Sequence, residues 1–303
     1  MNCMHSSYAH TTVMRSEAVA LLNARDGAVY VDATLGGGGH AEAVLEAAPG
    51  AKVIGVDRDP TAVEAAPERL GQFGERFRAI HGRFGDLPSL LASAGIEKVG
   101  GIVADLGLSS AQLSDSSRGM SFRFDGPLDM RMNPSQGQTA LDLIASITEN
   151  QLADLIFQYG EERRSRPVAR CIKFAEHDGR LKTTLDLRRA VVRALGPALI
   201  GGVDPATRTF QALRIAVNGE LDQLQALLTQ APLLLNDSGV LVVISFHSLE
   251  DRIVKRAFRD REVWVGASKH PMVASDAEQA ANRRSRSAKL RSAQRVPSDG
   301  GAS

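Results

Sequence analysis

The chain predicts a doubly wound α/β fold interrupted by a mainly helical insertion, and three observations carry that prediction. Short β-rich runs alternate with helix-forming stretches through roughly the first third of the 303 residues. One more strongly apolar run arrives at 239–246. More than 130 residues separate it from the strand before it, far more than a crossover needs, and much of that interval has helical periodicity.

The four early runs are 28–33, 52–57, the weaker 78–81, and 101–106. Between them 41–48, 60–70 and 87–94 are rich in helix formers. Asp59 before Pro60 is a strong helix start, an N-cap acceptor followed by a residue whose fixed φ suits the first turn. Such alternation implies a parallel sheet with helices on both faces. In the insertion, Leu152, Leu155, Ile156 and Tyr159 share one helical face, as do Val168, Ile172 and Ala175. Thr148 with Gln151 and Thr183 with Asp186 read as capping boxes, Gly160 and Gly179 as stops. A last helix carrying Phe210, Leu213, Val217, Leu221, Leu224 and Leu228 on one stripe is expected to return the chain to the sheet. Ser248 with Asp251 reads as the capping box of the helix after the fifth strand. The expected domains are 1–112 with 206–303, and an inserted 113–205.

Composition is that of a globular chain, 43% apolar with a net charge of +1. Charge is uneven: from Arg252 onward there are 12 Lys and Arg against 5 Asp and Glu, leaving the remainder net negative. A basic end on an acidic body suggests an anionic partner, or else a solvated basic tail. Cys3 and Cys171 have neither disulfide-scaffold nor metal-site spacing. No stretch has the character of a signal peptide or approaches the roughly 20 apolar residues of a membrane span, so a cytoplasmic protein is expected.

The first strand runs into Asp32-Ala33-Thr34-Leu35-Gly36-Gly37-Gly38-Gly39-His40. Glycines at a strand-to-helix turn let a ligand approach the backbone, and Asp57 ends the second strand where a carboxylate can accept ribose hydroxyls. Gly36, Gly38 and Ala41 satisfy G-x-G-x-x-A, so a dinucleotide site and a plain structural turn both stand as readings. Asp32, however, would repel a pyrophosphate, whereas the sulfonium and ammonium of S-adenosylmethionine favour it. Asp105 adds a third acid at the same sheet edge. Strand-end aspartates also cap turns, but three together favour a Rossmann-like methyltransferase crevice.

A wider set of motifs then becomes legible: His10-Thr11-Thr12-Val13, the loop from Asp32 to His40, Asp105-Leu106-Gly107-Leu108-Ser109-Ser110-Ala111-Gln112, Gly126-Pro127-Leu128-Asp129-Met130-Arg131-Met132, Tyr159-Gly160-Glu161-Glu162-Arg163, Thr207 to Arg214, Ser245 to Arg252, and Arg286 to Arg291. In this order, over nearly the whole chain, they closely resemble the bacterial RsmH or MraW family. The resemblance implies S-adenosylmethionine-dependent methylation of the N4 amine of a cytidine in the decoding region of 16S ribosomal RNA. It implies cofactor contacts at Gly38, Gly39, His40, Asp57, Phe84, Asp105 and Gln112. Residue reading agrees for the loop and Asp57, and Phe84 is either near the adenine or plain core. His40 is expected to offer its backbone. Gly37 departs from the family pattern, which carries a side chain there.

Cytosine N4 is a poor nucleophile, so an acceptor for its proton would aid attack. Asp105 is the candidate catalytic residue, with Asp129 and His247 as alternates. No metal is needed. Phe122, Phe124 and Phe246 are candidate platforms for an unstacked base. Arg163, Arg164 and Arg166, with Arg283, Arg284, Arg286, Lys289, Arg291 and Arg295 of the basic end, are candidate phosphate contacts. That end could instead be anchored by Ala288 and Leu290. An NAD-dependent oxidoreductase, a methyltransferase acting on another amine, and a non-enzymatic assembly factor are the competing readings.

Overall fold

The computed structural model describes residues 12–198 and 202–297; Cys3, His10 and Thr11 lie outside them. The chain divides into two compact units, Leu108–Asp222 and the remainder on either side of it.

In the first unit, α1 (Arg15–Leu22) leads into β1 (Val29–Asp32), α2 (Gly39–Ala47), β2 (Lys52–Asp57), α3 (Pro60–Leu70), β3 (Phe77–His81), α4 (Leu87–Ser93) and β4 (Val99–Asp105). The second unit contains α5 (Ser110–Ser114), α6 (Ala140–Ser146), α7 (Glu149–Gly160), α8 (Ser165–His177), α9 (Thr184–Leu195) and α10 (Thr207–Asn218). Helix α11 (Glu220–Leu234) re-enters the first unit, followed by β5 (Leu235–Ser245), α12 (Ser248–Ala257), β6 (Trp264–Val265), α13 (Asp276–Ala281) and β7 (Lys289–Arg295).

The strands form one seven-stranded sheet in the order β3-β2-β1-β4-β5-β7-β6. β1 to β5 are mutually parallel, and β7 runs antiparallel to both β5 and β6. Period-two alternation splits each strand between two cores. Val31, Ile54, Ile102 and Leu241 join α4, α11 and α12 on one face. Tyr30, Val53, Val103 and Val242 join α1, α2 and α3 on the other. The order reverses direction between β1 and β4, the switch point where such sheets open a crevice at the carboxyl ends of their strands.

Local signals held where they depend on near neighbours. Asp59 caps α3, accepting from Thr61 N at 3.2 Å, with Pro60 in the first turn. Thr148–Gln151 and Thr183–Asp186 form their capping boxes. Three expectations are corrected. The cap of α12 is His247, boxed with Glu250, rather than Ser248 with Asp251; Glu250 Oε2 accepts from His247 N at 3.3 Å, one residue earlier than the Ser248 reading required, and from Phe246 N at 2.8 Å. The expected long helix from 210 to 228 is two helices, because Gly219 adopts a left-handed φ of 59°. Of the two readings of the basic end, the solvated tail gives way to the anchored one: Ala288 and Leu290 are buried, 289–295 is an inner strand, and Arg291 is 5% exposed, with its Nε 2.7 Å from Asp251 Oδ1.

The second unit has its own core. Leu152 and Ile156 of α7, Val168 and Ile172 of α8, Leu187 and Val191 of α9, and Phe210 and Leu213 of α10 are buried together with Leu128, Met130 and Met132. Asn218 fixes that Met-containing loop, donating to Met130 O at 2.8 Å and accepting from Met132 N at 2.8 Å. Gly160 lets α7 approach α10, since a Cβ there would meet Arg208 O at 2.6 Å. The unit extends beyond the expected 113–205 at both ends, because Leu108 and α10 contribute to this core.

Candidate cofactor and catalytic site

The glycine loop is held from below by two of the strand-end acids. Asp32 is buried, and its two oxygens accept from Thr34 N at 3.2 Å and Ala41 N at 3.1 Å, tying both ends of the loop together. Burial pushes its pKa up to about 6, against the pull of His40 and of the Thr34 N–H. Asp32 therefore shapes the loop. Asp57 accepts from Gly36 N at 2.7 Å and from Asp59 N at 2.8 Å. Burial raises its pKa, with those N–H groups opposing. The Asp57 carbonyl accepts from Gly82 N at 2.9 Å, which sets the turn carrying Phe84 beside it. Phe84 itself is half-buried against the sheet core.

Gly38 caps α2 in the left-handed region, φ 75°, where a side chain would be strained and would press on Leu70. Gly39 follows with no room for a Cβ, which would overlap Thr12 Oγ1. The His40 ring then points into the molecule, 3% exposed, with Nε2 3.7 Å from Asp105 Oδ2. Burial alone would lower its pKa, but the Asp105 and Asp32 carboxylates outweigh that and leave it raised. Neither ring nitrogen makes a hydrogen bond among the described residues.

Asp105 closes β4. Its backbone N–H donates to Thr34 Oγ1 at 2.7 Å, so the loop and β4 are locked together. Its Oδ1 is buried and has no hydrogen-bond partner among the described residues. A buried carboxylate oxygen left unmatched is costly and marks a group kept for something else. Arg284 lies over the Phe246 ring, 5.8 Å from its centroid; burial lowers its pKa while the Asp105 charge opposes. Thr34 and Arg284 were not foreseen in these positions, the first because its partner is 71 residues away, the second because it reads as one of many tail cations.

Gly38, Gly39, His40, Asp57, Phe84 and Asp105 thus meet at the carboxyl ends of β1 to β4. Gln112 belongs to the second unit, buried in α5, where its Oε1 accepts from Ser109 N at 3.0 Å. Of the alternates, Asp129 is gripped by Arg131 through both oxygens, at 2.8 and 2.7 Å. Burial would raise its pKa, but Arg131 brings it below the ordinary value. His247 is occupied as a helix cap, its Nε2 3.1 Å from Glu250 Oε1. Among the three phenylalanines, Phe122 stacks edge-on to Phe210 at 4.9 Å and Phe246 packs on the sheet core, while Phe124 is 61% exposed. Arg163 and Arg166 are exposed; Arg164 donates to Ala194 O at 2.7 Å.

The chain is similar to known proteins over nearly its whole length. Residues 7–296 match the MraW methylase family. The chain is 61% identical over 287 residues to ribosomal RNA small subunit methyltransferase H of Sorangium cellulosum, covering 95% of this chain and 91% of that protein. It is 49% identical to the protein of the same name from Picosynechococcus sp., over 96% and 98% of the two chains. The corresponding protein of Geobacter sulfurreducens is 47% identical, over 96% and 100%. With a match this long and identities this high, the chain belongs to the MraW methylase family.

Proposed function

We propose that the protein methylates the N4 amine of a cytidine in the decoding region of 16S ribosomal RNA, using S-adenosylmethionine. The observation that carries the mechanism is Asp105 Oδ1, buried and unmatched at the carboxyl edge of the sheet beside the glycine loop. The residues at that edge suit the cofactor: glycines without side chains at 38 and 39, Asp57 with lone pairs left for ribose hydroxyls, and half-buried Phe84 beside it. Gln112 is carried into this set by the family resemblance. When bound, the cofactor supplies an electrophilic methyl group on a sulfonium.

The protein's own work is orientation and proton management. Asp105 accepts an N4–H, which frees the amine lone pair from the ring and drains the positive charge that develops on nitrogen. His40, buried beside Asp105 with a raised pKa and its Nε2 3.7 Å from Asp105 Oδ2, steadies that carboxyl group. Thr34 holds the Asp105 backbone in register with the loop. The second unit recognises the RNA, with exposed Phe124 available to stack on the unstacked base. A ribosomal substrate implies a cytoplasmic location, and no helix among the described residues is long and apolar enough to cross a membrane.

The test is nucleoside mass spectrometry of small subunits treated with protein and labelled S-adenosylmethionine. N4-methylcytidine is expected, and Asp105→Asn should reduce kcat by roughly 100-fold or more while the protein stays folded. A label on another nucleoside would refute the assignment of the target. An active Asp105→Asn enzyme would remove Asp105 from the chemistry.

A further inference from the structure

We propose that a cationic hollow between α8 and α9 is a second RNA contact, one that grips the phosphate backbone away from the reacting nucleotide. This rests on the reading of the protein as an RNA methyltransferase. The hollow has a volume of about 400 Å³, and its walls include Cys171, Ala175, Arg180, Lys182, Arg189 and Arg193. One acidic side chain, Asp186, joins them. Its carboxylate is already committed: Oδ2 accepts from Lys182 N at 3.1 Å and Thr183 N at 3.0 Å, and Oδ1 pairs with Arg189 at 2.7 Å. Four cations against one anion leave the hollow with a net charge of about +3, in a protein whose overall charge is +1.

Three features favour a nucleic acid over a structural role. No carboxylate lies within ion-pair distance of Lys182 or Arg193 among the described residues, so their charge is not consumed inside the fold. The Arg180–Asp178 and Arg189–Asp186 pairs are on exposed guanidiniums, 56% and 69% accessible, and pairs of that kind yield readily to a phosphate. Phe174, 50% exposed, sits under two of the cations, with Arg180 and Arg193 at 5.4 and 5.2 Å from its ring centroid. An aromatic ring steadies a guanidinium without neutralising it. A fixed guanidinium beside an exposed ring is what a flexible sugar-phosphate strand needs: charge for the phosphates and flat surface for a base. Sequence reading missed this group because Arg180, Lys182, Arg189 and Arg193 are scattered over a turn and a helix with Asp186 among them, whereas Arg163 to Arg166 form a visible run.

The test compares the wild-type protein with the triple variant Lys182→Gln, Arg189→Gln, Arg193→Gln, and with a charge-keeping triple Lys182→Arg, Arg189→Lys, Arg193→Lys. Affinity for protein-free small-subunit rRNA is measured against salt concentration, with cofactor affinity and melting as controls. The glutamine triple should lose about 2–3 from the slope of log affinity on log salt, and the charge-keeping triple should retain it. Cofactor affinity should not change in either. Parallel slopes for the glutamine triple and the wild type would overturn the proposal. So would equal losses in both triples, which would mean a packing role. Slopes that differ only on whole subunits would assign the hollow to a ribosomal protein and overturn the RNA contact. Methylation is read in parallel: a wild type whose RNA binding depends on these charges but which yields no N4-methylcytidine keeps this surface and refutes the proposed function.

Discussion

Asp57→Ala separates the two tasks assigned to one carboxylate. The side chain accepts from Gly36 N at 2.7 Å and from Asp59 N at 2.8 Å, so its removal strands two backbone donors at the start of the loop and of α3. A bond to an ionised acceptor contributes about 1.5–3 kcal/mol, but the raised pKa shows that burial already penalises this charge, so part of the loss is returned. A net destabilisation of about 2 kcal/mol is expected. If the same carboxylate also accepts ribose hydroxyls, cofactor binding weakens by a further 1–3 kcal/mol, or roughly 5- to 150-fold in Kd. Isothermal titration of the folded variant with S-adenosylmethionine measures that second effect. Asp59→Ala is the control: it removes the α3 cap on Thr61, about 1 kcal/mol of stability, and leaves the Asp57 carboxylate in place. An unchanged Kd for Asp57→Ala refutes the ribose role. An equal loss of affinity in Asp59→Ala would shift the cause to the start of α3.

Two further substitutions follow from buried charges. The Asp32 carboxyl titrates near 3.8 when unfolded and at about 6 when folded, so the stability it contributes is complete below the lower value and lost as pH rises through the higher. Asp32→Asn cannot ionise and should gain on the wild type as pH rises from 3.8 to about 6, the gap then levelling off; a melting-temperature gap that stays constant across that interval would refute this. Asp251→Asn removes the partner of buried Arg291 and should cost about 3 kcal/mol, read by denaturant melting. Burial opposes the effect, but Arg291 holds the Asp251 pKa below its ordinary value, so wild-type stability from this pair is present at neutral pH and lost as pH falls through the depressed pKa. A variant as stable as wild type would show that β7 does not depend on the pair.

Much of this was legible because it is local. Lys52–Asp57 is a strand with the bounds expected for it, and Pro60–Leu70 a helix with its cap, since alternation, capping and the proline all act within a few residues. What escaped the sequence depends on distant partners. Lys289–Arg295 reads as basic coil because its apolar residues are few; it becomes an inner strand through β5, and its arginine is matched by Asp251 40 residues earlier. The apolar stripe continues across Gly219, so only the glycine's positive φ reveals the break. The meeting of Asp32, His40 and Asp105 needs β1 and β4 to be neighbours, although Asp32, Asp57 and Asp105 on their own already pointed away from a dinucleotide. Membership of a methylase family then removes the oxidoreductase reading.

The place of β7 bears on how the molecule is made. Among the described residues β6, at 264–265, pairs only with β7, at 289–295, which also covers the free edge of β5. During synthesis the parallel strands emerge first and can assemble in order, but β5 waits with an unpaired edge for about fifty residues more. Until the last strand leaves the exit tunnel, Trp264 has no sheet to anchor the segment that carries it. The half-built domain therefore exposes a long apolar edge of the kind that recruits other chains. Chaperone demand should concentrate in that interval, and a released chain truncated before residue 289 should be far more prone to aggregate than one that includes 289–295.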